Sequence, residues 1–227
     1  MVTTLVAIAP LSAEGSTILS VALDESVAKA DIIFVGTVSR LEYVPITGGV
    51  FTKVTFKNLN RVKGNVMADS LVVSITGGVW GGNLYKTVGF PEFEVSARYL
   101  LCVDDNLGTE SDRYQPITFW NQGFFPLITD EHTARLVVHD CDYRPVVRIQ
   151  DRHLVVLANP VRPRGLVERL RARARSSPGK GKVAKMDTLR GLGHRVARIV
   201  MPDELDPRTR LGEEEFVREV RSIVQRR

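Results

Sequence analysis

Asp31-Ile-Ile-Phe-Val-Gly-Thr-Val38 is a nearly continuous run of β-branched and aromatic residues, and it restricts the fold more than any other segment. A strand whose two alternating sets are both apolar is buried on both faces. The run continues through Ser39-Arg-Leu-Glu-Tyr43 with polar and apolar residues alternating, so a long first strand is expected. Leu23 to Ala30, with Leu23, Val27 and Ala30 at helical spacing, predicts a short helix leading into it.

Pro45 to Gly49 supplies a turn. The next run, Val50 to Leu59, sets Thr52, Val54 and Phe56 on one face against Lys53, Thr55 and Lys57 on the other, which predicts a half-buried antiparallel strand. Asn60 to Gly64 is expected to close it. Ser70–Thr76, Tyr85–Val88, Arg98–Val103 and Tyr114–Phe119 read as further strands. Their close spacing and short turns favour a small barrel or sandwich over alternating β and α units.

A chain of 227 residues with 44% hydrophobic content buries a substantial core without metal or disulfide. The net charge of +5 suggests nucleic acid until it is divided along the chain. Residues 160–227 hold 18 Lys and Arg against 9 Asp and Glu, which leaves 13 against 17 in residues 1–159. The body is mildly acidic and only the tail is basic.

Residues 2–13, VTTLVAIAPLSA, have the apolar and small-residue character of a secretory signal without its basic start. Residues 1–22 are therefore read as a truncated signal, the start having been placed late, with a plain strand or loose terminus as the alternative. No stretch approaches the ~20 apolar residues of a membrane-spanning helix, so no span is expected. Cys102 and Cys141 are too few for a disulfide framework. They form either one bridge in an oxidising compartment or two buried free thiols.

The succession Ala30 to Val38, Phe51-Thr-Lys-Val-Thr-Phe56, Arg61-Val-Lys-Gly64, Gly77-Gly78, Gly89-Phe-Pro-Glu-Phe93 and Tyr99-Leu-Leu101 resembles a group of secreted bacterial proteins of uncharacterised function. Its opening strand is similar to netrin-like, or tissue-inhibitor-of-metalloproteinase-like, OB-fold domains. The resemblance implies an OB-like antiparallel β-barrel over residues 23–127 and an exported protein. Two departures matter: Ser96-Ala97 stands where such domains carry Gly-Glu, and no cysteine precedes Cys102. Protease inhibition through an N-terminal cysteine on zinc is therefore not carried over.

Residues 128–160 read as added β-hairpins, from Arg135-Leu-Val-Val138, Val146-Val-Arg-Ile149 and His153-Leu-Val-Val-Leu157. Residues 161–227 read as a basic helical extension. It comprises a helix over 166–175, a flexible linker at 176–185, an ambiguous segment at 187–201, and a helix from Glu213 to Gln225. Phe216, Val217, Val220, Ile223 and Val224 give that last helix an apolar face for docking.

Chemistry-bearing patterns are sparse. His132, His139, Cys141, Asp142 and His153 share a window, but their spacing matches no closed zinc pattern. There is no GxSxG, HExxH or phosphate-cradling GxxxxGK[ST]. Glu92 and Glu94, two apart, read as a solvated pair. Arg169, Arg171, Arg173 and Arg175 lie two apart, which spreads charge around a helix instead of along one stripe. The expectation is a protein without catalytic residues, cofactor or metal.

Binding surfaces are better supported. Trp80 sits between Gly78 and Gly81 in a glycine-rich loop, and Trp120 stands beside Asn121 and Gln122. An indole in a turn with amides nearby can stack on a sugar, a base or a peptide. The competing expectation is that each indole is core, because large aromatics are more often buried than displayed. The favoured function is a secreted or periplasmic module that recognises a protein or a glycan through its barrel-end loops. An intracellular OB-fold binder of single-stranded nucleic acid ranks second, because stacking platforms interleave aromatics with Lys and Arg on the barrel itself.

Overall fold

The computed structural model describes residues 21–47, 49–65, 68–86, 89–105, 116–131, 133–161, 197–200 and 209–226. In chain order the elements are α1 (Leu23–Lys29), β1 (Ile32–Ile46), β2 (Gly49–Lys63), β3 (Leu71–Thr76), β4 (Gly78–Trp80), β5 (Asn83–Tyr85) and β6 (Arg98–Val103). They are followed by β7 (Phe124–Thr129), β8 (Leu136–Val138), β9 (Val146–Gln150), β10 (His153–Leu157), β11 (Ala197–Val200) and the C-terminal helix α2 (Glu213–Gln225).

The protein is mainly β. Its centre is a six-stranded antiparallel sheet in the order β3-β2-β1-β6-β7-β8. The continuous apolar run of β1 has the double burial its composition requires. Ile33 and Val35 enter one hydrophobic cluster while Phe34 and Val38 enter another on the opposite face. β6 divides the same way, with Leu100 and Cys102 against the first cluster and Tyr99, Leu101 and Val103 against the second.

The β1–β2 register shifts between Ile33 and Phe34, between Val35 and Thr37, and between Val38 and Arg40. Such bulges bend and twist a strand pair. The expected barrel is not closed, however. β3 and β8 end the sheet without pairing to each other among the described residues, and β8 bridges instead from Val137 to Gly212.

Several boundaries differ from the sequence expectation. β2 does not close at Asn60 but runs on to Lys63, which pairs with Ile33. The Lys63 ammonium donates to the carbonyls of Val27 and Ala28 at 3.0 and 3.1 Å, and to that of Ala30. It thereby satisfies carbonyls at the C-terminal end of α1.

β7 and β8 belong to the main sheet, so the border at 127/128 falls inside β7, and only β9 and β10 form an added hairpin. The ambiguous stretch contains β11, parallel to β10. The helix expected at 166–175 and the linker at 176–185 lie outside the described residues, as do residues 1–20.

α2 has the expected bounds, and Phe216, Val217, Val220 and Ile223 are buried against the first cluster. Three glutamates, Glu213 to Glu215, occupy its first turn, where the helix dipole favours anions. The Arg98 guanidinium grips Glu213 with Nε to Oε2 at 2.9 Å and Nη2 to Oε1 at 2.7 Å. Arg221 Nη2 reaches Asn60 Oδ1 on β2 at 2.8 Å, and Arg210, just before the helix, pairs with Asp130. Among the described residues no helix is long and apolar enough to cross a membrane.

Candidate functional site

The second cluster is built from aromatics. Phe93 lies edge-on to Phe56, Tyr99 and Phe124 with centroids 5.7, 5.1 and 5.3 Å away. At one end of this cluster an open cleft of about 50 Å³ is lined by Leu41 and Tyr43 of β1, Thr52 of β2, Ile75 and Thr76 of β3, the β4–β5 hairpin, and the segment from Phe90 to Phe93. Phe93 joins the cleft to the core and Phe90 joins it to the next loop, because Phe90 meets Trp120 edge-on at 5.6 Å.

The glycine-rich loop folds into a hairpin, and each glycine has a distinct part in that. Gly81 and Gly82 form the two-residue turn with φ of 58° and 76°, a left-handed pair that matches strand twist and favours glycine. At Gly78 (φ 142°) a Cβ would stand 2.6 Å from Thr52 Oγ1 and 2.7 Å from Tyr43 Cδ1. Only glycine lets the hairpin lie this close to β1 and β2. Alternation then buries Val79 and leaves Trp80 38% and Tyr85 39% exposed.

Tyr114 to Phe119 is expected as a strand; residues 114 and 115 lie outside the described residues, and over 116–119 the structure has an isolated bridge from Val103 to Ile117 followed by a tight turn. Phe119 and Trp120 take left-handed backbone angles, φ 49° and 68°, which cost bulky residues about 1–3 kcal/mol each. Surrounding bonds impose the turn: Cys102 N donates to Gly123 O, Thr118 N to Cys102 O, and Gly123 N to Thr118 O. The consequence is display. Phe119 is 37% and Trp120 49% exposed, so both indoles of the chain are presented to solvent and neither is core.

The amides behave differently from the sequence expectation. Asn121 and Gln122 are buried; the Gln122 side-chain oxygen accepts from Val21 N at 2.8 Å, anchoring the entry to α1. Trp120 therefore comes without surface amides from its own turn, whereas Asn83 stands across the hairpin from Trp80. The sequence singled out Trp80, Gly78, Gly81 and Trp120, whereas Tyr85, Phe90, Phe119 and Thr76 were missed. Phe119 is signalled by adjacency to Trp120, and Phe90 lies within the Gly89-Phe-Pro-Glu-Phe93 stretch.

Of the lining side chains only Lys86 and Glu92 carry charge, and they pair with each other. The remaining polar side chains in the wall are the hydroxyls of Tyr43, Thr52, Thr76 and Tyr85. Thr52 Oγ1 donates to Gly77 O at 2.6 Å. Thr76 Oγ1 is buried and has no hydrogen-bond partner among the described residues.

The two cysteines are not bridged in this structure. Cys102 points into the first cluster from β6, while Cys141 packs against the second, on the other face of the sheet. Burial pushes the Cys102 thiol up to about 12, against a smaller opposing pull from Lys63, and raises Cys141 as well, with Asp140 and Asp142 adding to it. Neither is a ready nucleophile.

Among the described residues the histidine window does not converge. His139 is buried with Nδ1 3.0 Å from the Val137 carbonyl oxygen, His153 is exposed, and His132 lies outside the described residues. Burial holds His139 down at about 4, with the Val137 carbonyl working the other way. Among the described residues no three His, Cys, Asp or Glu side chains are grouped to hold a metal. Glu92 pairs with Lys86, and the Glu94 backbone N–H donates to Tyr99 Oη at 3.1 Å. Comparison with protein-family models, curated proteins and solved structures returned no match.

Proposed function

We propose that this chain is a non-enzymatic binding module, exported from the cell, that captures a protein or a glycan on the aromatic end of an OB-like sheet. The observation that carries the reading is the Phe119–Trp120 turn. Two successive aromatic residues are held at left-handed angles and displayed, although the same turn would form more easily with Asn and Gly. Strain that the rest of the fold imposes on two displayed side chains, beyond the edge-on contact of Trp120 with Phe90, is characteristic of a ligand clamp. Trp80 and Tyr85 on a glycine-fitted hairpin extend the same surface. The OB-like character is supported by the bulged 15-residue strands β1 and β2 curling past an aromatic interior. Export rests on the signal-like composition of residues 2–13.

An array carrying both glycans and peptides tests the binding claim, probed with the wild-type protein and with a Trp80→Ala/Trp120→Ala double variant. Signal that falls tenfold or more in the correctly folded double variant is the expected result. Equal signal from both proteins would place recognition elsewhere. Export is tested by intact mass of the extracellular fraction: the expected species lacks about the first 13 residues, and full-length protein found only inside the cell would remove that part of the proposal.

A further inference from the structure

The inference here rests on the binding reading above and names the chemistry of the ligand. We infer that the cleft between the β4–β5 hairpin and the Phe90–Phe93 segment receives an uncharged sugar residue of a glycan chain.

Charge argues first. Lys86 and Glu92 neutralise each other at the rim, and the other lining side chains are uncharged. An anionic ligand would have to displace Glu92 from Lys86, and a cationic one Lys86 from Glu92, so the cleft selects a neutral group.

Hydrogen bonding argues second. Thr76 belongs to the cleft wall, and its Oγ1 is buried without a partner among the described residues, an arrangement that costs stability unless something completes it. A hydroxyl both donates and accepts, and so does a sugar hydroxyl brought to it. Tyr43 and Tyr85, which also carry hydroxyls, line the same walls. A phosphate or carboxylate ligand would call for cationic donors, whereas the uncharged polar side chains here carry hydroxyls; β3, which lines the cleft through Ile75 and Thr76, is an edge strand, so an extended peptide is the competing occupant that the saccharide panel and the array tell apart.

Shape argues third. A volume of about 50 Å³ holds about four waters, enough for the edge of one ring or a hydroxymethyl arm. The rest of the chain then has the exposed faces of Tyr85, Trp80 and Trp120 on which apolar C–H faces of neighbouring rings can stack.

Trp120 touches the lining residue Phe90 edge-on and Trp80 lies on the hairpin that supplies one wall, so intrinsic fluorescence of the whole protein reports on this end of the sheet. The probes are the hexasaccharides of β-1,4-linked glucose, α-1,4-linked glucose and β-1,4-linked N-acetylglucosamine, with hexagalacturonate as the acidic counterpart. The expected result is a saturable emission change with at least one neutral hexasaccharide, unchanged between about 0.05 and about 0.5 M NaCl. Thr76→Val should weaken that binding by about three- to tenfold without lowering Tm, since the hydroxyl removed has no partner among the described residues.

A response to hexagalacturonate alone, weakening with salt, would overturn the neutral-sugar assignment and leave the binding reading standing. Silence of all four saccharides together with array peptides that require Trp80 and Trp120 would do the same in favour of a protein ligand. Silence of the saccharides with no tryptophan-dependent signal on the array would overturn both. Undiminished affinity in Thr76→Val would overturn the role given to the cleft hydroxyl.

Discussion

The two faces of the central sheet draw on the same strands and reach opposite ends. The first cluster is covered: α1 and α2 lie over it, Lys63 closes the carbonyls of α1, Arg98 grips Glu213, and Phe216 is fully buried 5.2 Å from Phe125. The second cluster is open at one end, where Trp80, Tyr85, Phe119 and Trp120 reach solvent and two residues of one turn are held at unfavourable backbone angles. Stability is concentrated where the apolar surface is closed over, and the proposed recognition falls where it is left open. Substitutions on the two sides should therefore separate stability from binding.

The largest effect is expected on the covered face. Phe216→Ala should cost about 3–5 kcal/mol of unfolding free energy, read by denaturant titration, and leave any binding by the surviving folded fraction unchanged. A cost below about 1 kcal/mol would mean that α2 is not part of the core.

Acid should weaken the fold as well. His139 is buried and held at about 4 in the folded protein against 6.5 when unfolded, so the unfolded chain binds the extra proton. Stability is then full above pH 6.5 and falls as pH drops towards 4, by about 3 kcal/mol. Asp140, raised by burial in spite of Arg144, opposes this at the acid end. Comparing stability–pH curves of wild type and His139→Gln isolates the histidine, and the variant should lose markedly less between the two limits.

Smaller again is the clasp between β6 and the helix. Glu213→Gln removes the charge facing the Arg98 fork and should cost about 1–2 kcal/mol, measured as a shift in the denaturation midpoint. On the open end Trp120→Gly should change stability by less than about 1 kcal/mol, because relief of the left-handed angle offsets the lost contact with Phe90. The same variant should bind at least tenfold more weakly. A large loss of stability would make Trp120 a packing residue and dissolve the contrast between the two sides.

How much of this was legible in the sequence follows the same division. β1 and α2 were readable because periodicity and burial agree: Ile33, Phe34 and Val35 are all buried, and the apolar stripe of α2 docks as a stripe. β7 was missed because Pro126 interrupts its strand signal, although Pro126 O still accepts from His139 N at 2.9 Å. The Tyr114–Phe119 strand failed for a tertiary reason, since bonds between Cys102, Thr118 and Gly123 turn β-forming aromatics into a bend. In the site, an indole among glycines or amides was a visible signal. The meeting of Thr76, Tyr85 and Phe90 was not, because it depends on sheet register and on the closeness that Gly78 permits.

The most direct test of the displayed aromatic end is acrylamide quenching of the single-tryptophan variants Trp80→Phe and Trp120→Phe, with and without a ligand from the array. Both remaining indoles should be readily quenched in the free protein and protected together on binding. Indoles that resist quenching in the free protein, or a ligand that leaves both equally accessible, would contradict a binding site at this end of the sheet.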